Sequence, residues 1–102
     1  MNKEIINDIR NLLIGSYKET DRVTLHSLLW SIDAKHHLIP SFDEINESLK
    51  KIEGIQIASF EDGINLIFKK GIKSEIINQK HIDNAMIEYE KVINEFKNRK
   101  ST

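Results

Sequence analysis

Residues 24–70, TLHSLLWSIDAKHHLIPSFDEINESLKKIEGIQIASFEDGINLIFKK, decide how this chain folds. Thr24 suits the N-cap of a helix running from Leu25 to about His37. Its apolar residues Leu25, Leu28, Leu29 and Ile32 recur at i, i+3, i+4 and i+7 and so share one face. Pro40 pushes Ile39 out of the α region and separates this helix from the next. Ser41 opens that next helix, and Ser41-Phe42-Asp43-Glu44 has the S-x-x-E form of a capping box. Phe42, Ile45, Leu49 and Ile52 form its inner stripe, and Gly54 suits the left-handed position just past its end. Ile55 to Phe60 and Ile64 to Phe68 are β-branched and aromatic runs separated by Glu61-Asp62-Gly63. Asp-Gly between two such runs marks a β-hairpin.

Upstream, Lys3 to about Tyr17 reads as an amphipathic helix capped by Asn2, with Ile5, Ile9, Leu12 and Leu13 at helical spacing. Lys18 to Arg22 is a loop, and Val23 is enough for a very short strand able to pair with the hairpin. Downstream, Ser74 to about Asn98 reads as one long helix or two broken pieces. The expected organisation is one α+β domain over residues 1–102. Its core and hairpin span 1–71, a C-terminal helix spans 72–98, and a short tail covers 99–102.

Asp33, His37, Ile39, Pro40, Ser41, Glu44 and Ile45 make the string D-x-x-x-H-x-I-P-S-x-x-E-I. With the order helix, short strand, helix, helix, hairpin, the chain resembles the winged helix-turn-helix superfamily. The string itself is similar to one in small bacterial winged-helix-like proteins of unassigned function. The resemblance implies a three-helix core with a hairpin wing, to which this chain adds a C-terminal helix. It also implies that Asp43 to Lys51 would read a DNA groove, with Glu61-Asp62-Gly63 as the wing tip.

The charges argue against duplex DNA as the partner. Lys+Arg number 15 and Asp+Glu 16, so the chain has no basic surplus to meet phosphate. With its apolar stripe inward, the reading helix presents Asp43, Glu44, Glu47, Lys50 and Lys51 outermost, Glu47 and Lys51 forming an i, i+4 pair. Groove readers instead offer Arg, Lys, Asn or Gln to base edges. From Ser41 to Glu53 there are four acids and two bases, giving −2. Lys97-Asn98-Arg99-Lys100 is the one basic cluster, and it suits a helix C-terminus as well as it suits a polyanion.

Two other features point to a protein partner. Trp30 lies opposite the buried stripe of its helix, beside His26, Ala34 and His37, covered by another helix or left as an aromatic anchor. Ile82, Met86, Tyr89, Ile93 and Phe96 alternate at spacings of four and three, a two-heptad seam for packing within the chain or for a homodimer. The expected function is a non-enzymatic protein-binding module, of which an antitoxin-like or immunity-like inhibitor is one form. The alternative is a DNA-binding transcriptional regulator.

No cofactor or metal is expected. There is no cysteine, and Asp33 with His37 at i, i+4 makes at most half a metal site, with His26 a turn and more away. No nucleophile elbow, phosphate loop or H-E-x-x-H occurs, so no catalytic residue is expected. Glu4, Asp8 and Arg10 interrupt the N-terminal apolar residues, leaving no signal-peptide core. No apolar run approaches the ~20 residues that span a bilayer. A cytoplasmic location is the expectation.

Overall fold

Three side-chain caps start the first three helices of the computed structural model, which describes residues 2–68 and 78–101. Asn2 accepts the N–H groups of Glu4 and Ile5 and opens α1, Lys3–Ser16. Thr24 accepts the Ser27 N–H and opens α2, Leu25–His36. Ser41 opens α3, Phe42–Lys50, through the capping box. Each cap satisfies N–H groups that the first turn leaves without an intrahelical partner. His37 ends α2 in the left-handed conformation at φ 57°, its N–H bonded to the Asp33 carbonyl.

Among the described residues the architecture is mixed α+β, with four helices and a three-stranded antiparallel sheet. The strands are β1, Arg22–Thr24, β2, Ile55–Phe60, and β3, Gly63–Phe68, in the order β1-β3-β2. Val23 faces Leu66 across β1 and β3, while Ile57 faces Leu66 and Phe60 faces Gly63 across the hairpin. Gly54 and Gly63 stand at φ 86° and 111°, where a side chain would be strained, and they bracket β2. Helix α4 spans Gln79–Ser101. The expected helix start at Ser74 and the pair Lys69-Lys70 lie outside the described residues.

The core joins Ile5, Ile9 and Leu13 of α1 to Leu25, Leu28, Leu29 and Ile32 of α2, Ile45 of α3, and Ile64 and Leu66 of β3. Ala85, Tyr89 and Ile93 of α4 complete it. Where α1 meets α3, Ser48 is fully buried, its hydroxyl 3.2 Å from the Ile6 carbonyl and 2.8 Å from that of Glu44. Tyr17 ties the end of α1 to the sheet by donating to the Leu66 carbonyl and stacking on Phe68. Burial pushes the Tyr17 phenol above its ordinary pKa.

Candidate functional site

Helix α3, strand β2 and the first turns of α4 enclose an open groove of about 660 Å³. Asp43, Asn46, Glu47 and Lys50 form its polar wall on α3. Ile55 and Ile57 of β2, with Ile82 and Met86 of α4, make the apolar side. The sequence places these groups on three separate elements. Folding brings part of the acidic α3 face and part of the α4 seam to one surface.

Not every α3 acid faces this groove. Asp43 is exposed, but Glu44 is taken up structurally. One Glu44 carboxylate oxygen accepts the Ser41 N–H at 3.0 Å and the other accepts the Asn2 N–H at 3.0 Å. Partial burial works to raise the Glu44 pKa, and the N–H bonds from Ser41 and Asn2 outweigh it, holding the carboxyl below its ordinary value. The expectation that Glu44 lies outermost is therefore corrected, because the cap and the start of α1 claim both its oxygens. Glu47 pairs with Lys50 at 3.1 Å rather than with Lys51, the i, i+3 neighbour being in reach on the same side. Lys51 lines a smaller depression between α1 and α3 together with Glu47, Lys3, Ile6 and Asn7.

The α4 seam is divided by burial. Tyr89 and Ile93 are 1% and 0% exposed within the chain's own core, where Tyr89 packs on Phe42 at 5.0 Å between ring centroids. Ile82 and Phe96 are half-buried, while Met86 is 62% exposed. Ile87, outside the seam, is 78% exposed. Helix α4 packs chiefly against β2 and reaches α2 through Phe96.

Trp30 is 63% exposed and rests edge-on against Phe96 at 5.5 Å. Another helix therefore touches Trp30 without covering it. Trp30 and Phe96 line a second hollow of about 330 Å³ with His26, Asp33 and Arg99, none of which lines the groove. Of the basic C-terminal cluster, Arg99 lies at this hollow, and the Lys100 side chain is outside what is described.

The rings of His36 and His81 have structural partners. His36 Nε2 lies 2.6 Å from Asp8, and His81 Nδ1 lies 2.8 Å from the Ser59 carbonyl while its ring stacks on Phe60. His37 meets Asp33 through its backbone N–H. Among the described residues no group of three His, Asp or Glu could hold a metal ion, and no helix is long and apolar enough to cross a membrane.

Sequence reasoning missed Asn46, Ile55, Gln56 and Ile57 as parts of the groove. Gln56, a polar residue between two isoleucines, was the available signal. No family model, curated protein or solved structure matches this chain.

Proposed function

We propose that this chain is a non-catalytic winged-helix module that binds another protein through the groove between α3, β2 and α4. The order α1-β1-α2-α3-β2-β3 and the sheet order β1-β3-β2 support the winged-helix reading. The observation that carries the function is the composition of the groove. Asp43 and the Glu47–Lys50 pair stand beside Ile55, Ile57, Ile82 and Met86, a wall of hydrocarbon and charge in which the acids outnumber the base. Apolar surface contributes affinity to a protein partner in proportion to the area removed from water. The same acids oppose phosphate, whose binding draws on Lys and Arg releasing counterions.

The test places a photo-crosslinking amino acid at Met86, and separately at the exposed Asn11 of α1, in cells that naturally make the chain. A protein joined from position 86 and absent from position 11 is the expected result. In parallel, anisotropy of a labelled duplex DNA is titrated at low and moderate salt, with no binding expected. Steeply salt-dependent DNA binding without a crosslink from position 86 overturns the reading.

A further inference from the structure

Among the described residues strand β2 lies at one margin of the sheet, with β3 on one side of it only. Along an antiparallel strand, successive residues turn their N–H and C=O groups alternately toward the paired strand and away from it. Glu61 and Asp62 form a two-residue connection, and Phe60 pairs with Gly63 across it. The pair that closes such a loop exchanges hydrogen bonds. Counting back, Phe60, Ala58 and Gln56 direct their backbone groups to β3. Ser59, Ile57 and Ile55 direct theirs outward.

His81 supports this assignment independently. Its ring nitrogen lies 2.8 Å from the Ser59 carbonyl, approaching from α4 and not from β3. At Ser59 the outer edge is therefore met by α4. Ile57 and Ile55, next along the same edge, line the groove and are half-buried. An exposed strand edge is a ready template for another strand.

We propose that the β2 edge at Ile55 and Ile57 is a strand-addition site for an extended segment of the partner protein. This rests on the protein-binding reading above. Ile55 and Ile57 each offer an outward N–H and C=O, enough to hold a segment of about three to four residues at ~3.3 Å per residue. Ile82 and Met86 receive its apolar side chains. A Lys or Arg on the segment meets Asp43, which is exposed, and shares Glu47 with Lys50. Backbone bonding supplies attachment, and the acids select a basic sequence.

The probe is an alternating valine–lysine hexapeptide, followed by amide NMR and hydrogen exchange of the full chain. The expected result is slowed exchange at the Ile55 and Ile57 amides with shifts at the Met86 methyl. N-methylating alternate residues of the peptide removes its donors and weakens binding by about tenfold. The double variant Asp43→Lys, Glu47→Lys weakens it by roughly three- to tenfold while the fold is retained. Unchanged exchange at Ile55 and Ile57, or equal binding of the N-methylated peptide, overturns strand addition. If shifts then persist at Asp43 and Glu47, the protein-binding reading stands without it. No shift anywhere in the groove also overturns strand addition, and the crosslink from position 86 decides the broader reading separately.

Discussion

His36 Nε2 lies 2.6 Å from the Asp8 carboxylate, and Lys35 reaches the same oxygen at 3.0 Å. This junction joins the middle of α1 to the last turn of α2. The Lys35 hydrogen bond, then that of His36, holds the Asp8 carboxyl below its ordinary pKa. A carboxyl whose pKa is lower folded than unfolded stabilises the fold above the unfolded value, and that stabilisation is lost as pH falls through the folded value. The window therefore opens near the ordinary value of 3.8 and extends below it. Thermal unfolding of the wild type and Asp8→Asn should differ at pH 5 and converge as pH approaches 2. A constant difference across that range would remove the titration argument.

Glu44 joins the start of α3 to the start of α1 through its two accepted N–H bonds. Glu44→Ala should cost about 1–2 kcal/mol, the usual scale for a lost cap with a bond to a second element. Asp43→Ala, on an exposed neighbour, should stay within about 0.5 kcal/mol. Chemical denaturation of the two variants measures the contrast. Equal costs would mean that the capping box does not distinguish these adjacent acids.

The Tyr89 hydroxyl is buried and makes no hydrogen bond among the described residues. Burial pushes its pKa above the ordinary phenol value. A buried hydroxyl without a partner carries a desolvation cost of about 1–3 kcal/mol, so removing the oxygen while keeping the ring relieves it. Tyr89→Phe should leave stability unchanged or raise it by about 1 kcal/mol, read as an increased denaturation midpoint. A loss of that size would show that the hydroxyl is satisfied in solution.

Trp30 is the only tryptophan, so fluorescence reports one place. Its edge contact with Phe96 is a pair worth about 1 kcal/mol, and most of the ring is exposed. Iodide should quench its emission readily in the native state, and Trp30→Ala should cost about 1 kcal/mol. A shielded emission or a cost several times larger would mean that the indole is covered.

Elements with local causes were legible in the sequence. Asn2, Thr24 and Ser41 each cap a helix within three residues of themselves, and the Glu61-Asp62 connection, followed by Gly63 at φ 111°, sets the hairpin register next to itself. What lay far apart was not. Asp8 and His36 are 28 positions apart, and Asn2 and Glu44 are 42 apart, so no helical period links either pair. The groove is distributed in the same way over α3, β2 and α4. Periodicity also marked a stripe on α4 without indicating what it meets. The structure gives its middle to the core and leaves Met86 outside.

That division makes the last prediction. Ile93 and Met86 belong to one seven-residue spacing on α4, yet Ile93 is 0% exposed and Met86 is 62% exposed. Ile93→Ala leaves a cavity in the core and should cost about 2–5 kcal/mol. Met86→Ala removes mainly solvated surface and should cost less than about 0.5 kcal/mol. Binding should invert the order, since Met86 lines the groove and Ile93 does not. Denaturation midpoints and crosslinking yield from position 43 separate the two effects. If Met86→Ala lowers stability as much as Ile93→Ala, Met86 is a packing residue and the groove loses its apolar wall.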